Sequence, residues 1–566
     1  RKKDIQARYL KLLMIMLIAM QKSIYPILYF KMKKIFTLSL SILILAGCSK
    51  GVSPVDSGLE NQIFHFGNGS EPQGIDPHIV TGVPEHHILI SLCEGLTTPN
   101  PGLGGNLPGA AKSWSISNDG KEYIFNLQPN GMWSNGDLVT AEDFVWSWMR
   151  ILTPSLGSQY PDMLFYIKGA EEFHAGKISN FDEVGIKAID KFTLKVNLKS
   201  ATPFFLGLLS HYSTWPVHKE TVLKHGSIDD RNGQWTRPGN FVCNGPFNLK
   251  SWELNNKLVV EKNPLYWDAD IVRLNEIHYY PVSNGMTEDR MFRAGQLHLT
   301  SSIPSQKCPI YIEEKNPDLR IDPYMGTYFY RFNTKNIALS DVRVRKALAY
   351  SINRELIVDK VTRCGQIPAY SFTPPGSNGF EPDTQIPFNP ALAKQLLSEA
   401  GYSEANPFPK LEILFNTNED HRKIALAVQQ MWQQNLGVEV ELVNQDWKVY
   451  LSREMVGDFQ VSRAGWIGDY EDPNTFLDLM RPNRGNNKTG WENVKYDQLL
   501  EQANRTNDQY KRYELLKEAE RILIEHMPIV PLYTYVRSYQ LSPDVKGHNP
   551  HILDHHHPKY IYLERD

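Results

Sequence analysis

Arg463 and Asp469 stand six positions apart and carry the two charges best suited to grip a ligand. A guanidinium presents a flat fork of donors that matches the two oxygens of a carboxylate. A carboxylate such as Asp469 pairs with an ammonium. Six residues of extended strand span roughly 20 Å, whereas the two ends of a short zwitterion of three residues lie roughly 10 Å apart. The chain must therefore turn between Arg463 and Asp469 if both hold one small ligand, and Gly465 and Gly468 permit that turn. The run His555-His556-His557, with His548 and His551 nearby, offers ligands for zinc or nickel. Adjacent residues of a strand face opposite sides, so a closed metal site would need other segments. Neither a resident metal nor a cofactor is expected. The sequence holds no His-Glu-x-x-His and no Gly-x-Ser-x-Gly, so neither an activated metal water nor an activated serine is in view, and enzyme chemistry is not expected.

Cys48 carries a different chemistry. It closes Leu45-Ala46-Gly47-Cys48, after an apolar stretch over 35–45 that follows Lys31, Lys33 and Lys34. Basic residues, about ten apolar ones and then small ones form the grammar of a secretion signal. The cysteine resembles that of a bacterial lipobox, whose thiol takes a lipid after cleavage just before it. The apolar stretch is too short for a membrane span, which needs about 20 residues. The expectation is an exported protein, lipid-anchored at Cys48 on the extracytoplasmic or periplasmic face of a bacterial membrane. Met32 is the predicted start, with 32–47 as signal peptide and 1–31 as an upstream or mis-called extension.

The remaining cysteines, Cys93, Cys243, Cys308 and Cys364, allow two disulfides in three pairings, or stay as buried thiols. The net charge of −3 gives no basic surface for nucleic acid. With 41% apolar and 22% charged residues the chain is ordinary globular material, long enough for about three domains.

The elements that must position these residues read as a mixture. The segment 50–60, rich in Ser, Gly and Pro, predicts a flexible tether. Alternation predicts a strand over 121–127. Thr140 with Asp143 predicts a capped helix that buries Phe144, Val145, Trp148 and Met149. Asn389-Pro390 opens another helix and Gly401 closes it. Ser340-Asp341 starts a third, carrying Val344, Leu348 and Ile352. Strands interspersed with helices, without strict alternation, predict α+β or mixed α/β domains.

Several ordered motifs then carry a family resemblance: Trp133-Ser134-Asn135-Gly136-Asp137 with Thr140-Ala141-Glu142-Asp143, Asn263-Pro264-Leu265-Tyr266-Trp267, Asp341-Val342-Arg343-Val344-Arg345, Pro368-Ala369-Tyr370-Ser371-Phe372, and Arg463-Ala464-Gly465-Trp466-Ile467-Gly468-Asp469-Tyr470. From about Asn68 to Tyr560 the chain resembles the oligopeptide-binding proteins of peptide ABC transporters, in extracellular solute-binding protein family 5. The resemblance implies a mixed α/β, three-domain, two-lobed periplasmic-binding-protein fold that closes on its ligand by a hinge. Domain I would comprise 50–93, 214–324 and 537–566, domain II 94–213 and domain III 325–536. The implied function is a monomeric receptor that binds an oligopeptide and delivers it to the permease subunits of an ABC importer. A cell-wall peptide, a nickel complex or haem on the same fold is the alternative cargo, and a peptidase the alternative class.

The resemblance also implies a site. Asp469 would bind the peptide ammonium, and Arg463 and His421 its carboxylate. Gly465, Trp466 and Ile467 would pair with the peptide backbone, as would a second edge at Gly82-Val83-Pro84. Val83, Tyr160, Trp447 and Tyr535 would make further contacts with the ligand. The sequence departs from the family pattern at Glu454 and Thr362, where the family has an arginine and a lysine, and at Thr81, where it has an acid. The family's domain-III disulfide is absent, its positions being Gly326 and Ile467. Glu454 is therefore predicted to repel a carboxylate near it, to favour tri- to tetrapeptides, and to relax that preference when changed to arginine.

Overall fold

Alternating burial along Glu122–Leu127 makes that segment a strand, as its sequence pattern requires. A computed structural model of the chain describes Leu12, Met14 and residues 52–101, 105–482 and 484–566. Cys48 and the signal-like segment lie outside the described residues. Among those described, no helix is long and apolar enough to cross a membrane. The body from Pro54 to Asp566 forms one compact unit.

Three main sheets organise that body. One runs in the order Ile63–Gly67, Glu276–Tyr280, Lys257–Lys262, Phe247–Glu253, its first pair parallel and the others antiparallel. A second, wholly antiparallel, runs Ala111–Ile116, Glu122–Leu127, Thr193–Asn197, Ile186–Asp190. The third has six strands in the order Ile367–Pro368, Ile529–Gln540, Leu319–Phe332, Val461–Ile467, Leu411–Asn416, Val440–Gln445. The first two sheets share one apolar core. The third carries a core on each face, because side chains alternate along a strand. Tyr328 and Tyr330 enter one core and Phe329 the other.

Two strands of the third sheet are unusually long, 14 residues for Leu319–Phe332 and 12 for Ile529–Gln540. Their paired outer ends reach the first sheet. Thr300 donates its amide to the Gln540 carbonyl at 3.0 Å, and Leu299 bridges both Phe66 and Leu541. The register between these two strands shifts between Pro323 and Thr327.

Helix starts follow local chemistry. The predicted capping box at Thr140 and Asp143 is present, with the Thr140 amide donating to Asp143 Oδ2 at 2.7 Å. Asn389 caps Pro390–Glu399 and Asp341 caps Val342–Tyr350. The predicted tether over 50–60 is corrected. Pro54–Asn61 is a helix docked on the body, where the Val55 amide donates to the Gly295 carbonyl at 3.0 Å and Asp56 pairs with Arg565 at 3.0 Å. Composition misled here, because tertiary contacts override weak helix propensity.

Cys308 and Cys364 are bridged, their Cα atoms 5.5 Å apart, while Cys93 and Cys243 stay as buried thiols. Gly326 and Ile467 face each other in the strand ladder, with the Ile467 side chain filling the space beside the glycine.

Candidate functional site

Arg463 projects from Val461–Ile467, the neighbour of Leu319–Phe332 in the sheet, toward tyrosines of that strand and of Ile529–Gln540. Its Nη2 donates to the Tyr535 hydroxyl at 2.8 Å and its Nη1 to Asn416 Oδ1 at 3.3 Å. Its guanidinium carbon sits 4.8 Å from the centre of the Tyr328 ring, within cation–π range. Among the described residues no carboxylate pairs with Arg463, and its Nε is buried without a hydrogen-bond partner. His421 is close by, on the first turn of Glu419–Leu436, where Asn418 caps both the Asp420 and His421 amides. Its ring packs 5.6 Å from Tyr328 and its Nδ1 is buried and unpartnered. Burial, and then the charge of Arg463, hold this imidazole well below its ordinary pKa, so it is neutral.

The strand ends at Ile467 and the chain turns. Gly468 donates its amide to the Met325 carbonyl at 2.8 Å, and Asp469 donates its amide to Thr475 Oγ1 at 3.0 Å. This fixes the Asp469 carboxylate with only 12% of the side chain exposed. Its nearest partner of possible opposite charge is His211 Nε2, at 3.4 Å. Burial, and then His86, hold His211 well below its ordinary pKa, so it brings no positive charge at neutral pH. Burial raises the Asp469 pKa well above the usual carboxylate range, and the nearby Asp162 adds to the rise.

Arg463, His421, His211 and Asp469 line one cavity of about 420 Å³. Asp469, Arg463, His421, Gly465, Trp466, Ile467, Val83, Tyr160, Trp447 and Tyr535 all reach its wall. Tyr160 packs 4.8 Å from His211 and 6.4 Å from Trp466. Trp447 opens the helix Trp447–Val456, is stacked on Tyr450 at 5.6 Å, and faces Gly82. One local expectation is corrected. Gly82 is extended, but Val83 begins the helix Val83–Leu92, so the segment Gly82-Val83-Pro84 is a helix entry rather than a strand edge. Pro84 in a first helical turn needs no amide hydrogen, which is why the proline did not keep the segment extended.

The expected role of Glu454 is also corrected. Glu454 is buried away from the cavity, 3.3 Å from Arg331 Nη1, and accepts from Ser462 Oγ at 2.7 Å. Its charge is spent on Arg331 and does not face a ligand. Arg453 turns the other way, to Glu412 and Asp458. Thr362 is buried in the segment Ile357–Thr362 and is likewise absent from the cavity wall.

Sequence reasoning missed His211, Tyr212, Asn416 and Tyr324, which also line the cavity. None lies in a local motif. Among the described residues no group of three or more His, Cys, Asp or Glu is arranged to hold a metal ion.

Comparison with known proteins agrees with this architecture. Residues 107–488 match the family model of bacterial extracellular solute-binding proteins, family 5. The chain is 38% identical over 528 residues to the oligopeptide-binding protein OppA of Bacillus subtilis, covering 91% of this chain and 95% of that one. The Haemophilus influenzae OppA complex with the peptide RPPGFSPFR superimposes with a TM-score of 0.85 at 34% identity, over 89% of this chain and 99% of that one. The Escherichia coli murein tripeptide binding protein MppA gives 0.85 at 36% identity, over 89% and 99%. The unliganded open form of MppA gives only 0.61 at the same identity, over 89% and 98%. A drop of that size at constant sequence reflects lobe arrangement, so the cleft described above is drawn shut. The chain belongs to the bacterial extracellular solute-binding proteins of family 5.

Proposed function

We propose that this chain is an extracytoplasmic receptor that closes over an oligopeptide and delivers it to an ABC importer. The observation that carries the reading is the pair of buried groups, the Asp469 carboxyl and the Arg463 guanidinium, that face one cavity. Asp469 has no lysine or arginine partner and Arg463 no carboxylate partner among the described residues. A buried charge without a counter-ion is strongly unfavourable. A ligand with an ammonium at one end and a carboxylate at the other relieves both at once. In this reading Asp469 takes the ammonium, and Arg463 with His421 takes the carboxylate. Gly465, Trp466 and Ile467 offer backbone groups to the peptide, and Val83, Tyr160, Trp447 and Tyr535 enclose it. The long strand pair Leu319–Phe332 and Ile529–Gln540 serves as the hinge, between a domain I of 50–93, 214–324 and 537–566 and a domain III of 325–536, with 94–213 as domain II. Mass spectrometry of ligand co-purified with the native protein tests the cargo directly. Recovery of a non-peptide, or no binding of any peptide by calorimetry, would overturn it.

Gly465→Ala probes the strand edge. A Cβ at Gly465 would lie 2.5 Å from the Tyr535 hydroxyl oxygen, which holds Arg463. Overpacking of this kind typically costs about 1–3 kcal/mol. Peptide affinity measured by calorimetry should fall by about tenfold, and an unchanged affinity would mean that the tyrosine has room to move.

The anchor is part of the same reading. Cys48 follows Leu45-Ala46-Gly47 and would become the lipidated N-terminus. Cys48→Ser should release the protein from the membrane fraction into the soluble one. Full membrane retention of the variant would remove Cys48 as the anchor.

A further inference from the structure

The histidines near the C-terminal end have no part in gripping the two ends of a peptide, yet one of them enters the cavity wall. His86, on the first turn of Val83–Leu92, stacks on His555 with ring centroids 4.6 Å apart and planes at 29°. Both line the ligand cavity. His555 stacks in turn on His551 at 5.4 Å. On the other side His86 packs 5.8 Å from Tyr212, whose neighbour His211 reaches Asp469. The pair therefore lies toward the amine end of the cavity. Nε2 of His86 and Nδ1 of His555 are buried and have no hydrogen-bond partner. An unmet buried polar group costs about 1–3 kcal/mol, so two such nitrogens side by side in a binding cavity mark a place where ligand polarity is wanted.

The charges around the pair are defined. Asp554, just before His555, is matched by Arg537 Nε at 2.7 Å, His556 Nε2 at 2.9 Å and His87 Nε2 at 3.6 Å. Its need for a cation is already met, so it makes no demand on His86 or His555. Glu85 precedes His86 but turns to the Gln73 amide at 2.6 Å. Asp469 stands beyond His211. Burial, and then the neighbouring His87, push His86 down to about 3, and burial followed by His86 pushes His555 well below its ordinary value. Burial also takes His551 to about 4. The three imidazoles are thus uncharged at neutral pH, with proton-accepting capacity in reserve.

We propose that His86 and His555 form a side-chain subsite that receives an acidic side chain of the bound peptide together with one proton. The proposal rests on the receptor reading above. A carboxylate entering this wall alone would be a buried charge without a counterpart. With a proton taken from solvent onto an imidazole nitrogen it becomes a charge-assisted, paired group. No bond in the peptide is made or broken. An amide of the same shape, as in glutamine, needs no proton and gains no such pair.

Calorimetry on the mature protein with tetrapeptides differing only by Glu or Gln at the first or second position tests this. Titrations in buffers of different ionisation enthalpy count protons. At one of the two positions the Glu peptide should take up about one proton more than its Gln partner, and the Glu/Gln affinity ratio should rise by up to about tenfold per pH unit as pH falls from 8 to 6. His86→Phe and His555→Phe, which keep the ring stack, should abolish the extra proton and leave a Glu/Gln ratio that no longer rises as pH falls. If either variant fails to fold, the proton count on the parent protein still decides. Equal proton counts and a flat ratio at both positions would overturn the subsite while leaving the receptor reading intact. Failure of every peptide to bind would overturn both.

Discussion

Asp469→Ala is expected to weaken the binding of an unmodified short peptide by about thirtyfold or more. Removing one partner of a buried charge pair typically costs about 2–5 kcal/mol, and the second partner here would be the ligand's ammonium. N-acetylation of the peptide should produce a loss of the same order on the parent protein. The two changes should not add, because each removes the same interaction. The pH dependence has a definite sign. Burial holds the Asp469 pKa well above the ordinary carboxylate value in the empty, closed cavity, and an ammonium beside it would lower that pKa. Binding then releases a proton, so affinity rises with pH until the raised pKa is passed and is level above it. Acetylated peptides should show no such rise. Equal affinities for free and acetylated peptides by calorimetry would remove Asp469 as the amine anchor.

Glu454→Gln should destabilise the protein by about 3–5 kcal/mol, the usual consequence of leaving one member of a buried ion pair uncompensated. Arg331 and Glu454 each have 8% of the side chain exposed and stand 3.3 Å apart. Glu454→Arg should be at least as damaging, since it sets two guanidinium groups against each other. The double change Arg331→Met with Glu454→Leu should recover most of the loss, because well-packed apolar groups can replace a buried pair at little net cost. Urea denaturation of the parent, the single variants Arg331→Met and Glu454→Leu, and the double variant completes the cycle. Glu454 belongs to the helix Trp447–Val456, which brings Trp447 to the cavity. Loosening it should weaken peptide binding without altering which lengths are accepted. A Glu454→Gln protein as stable as its parent would show that the pair is not the clamp described.

What could be read from the sequence is what local chemistry decides. Thr140 with Asp143, Asn389 before Pro390, and Asp341 each cap a helix through atoms a few residues away, so their patterns suffice. The turn between Arg463 and Asp469 follows from the reach of an extended chain and two glycines, whereas their assignment to the two ends of a peptide comes from the family resemblance. Glu454 misled because its charge is cancelled by Arg331, more than a hundred positions earlier, and only the six-stranded sheet brings them together. His211 and Asn416 escaped for the same reason, since each reaches the cavity from a segment with no motif of its own. The helix Pro54–Asn61 was hidden by its serine, glycine and proline, and is held by contacts with Gly295 and Arg565 that composition does not record.

That docked helix sets the length of the leash. With Pro54 already fixed to the body, a lipid on Cys48 would leave only six residue steps between membrane and receptor. Whatever their conformation, six residues reach no further than about 22 Å. The receptor would then patrol a shallow layer against the bilayer instead of wandering through the compartment. Encounter with a permease in the same membrane would become a search in two dimensions. A weak affinity between receptor and permease would then suffice for transfer, and the two could part quickly once the peptide has been passed on.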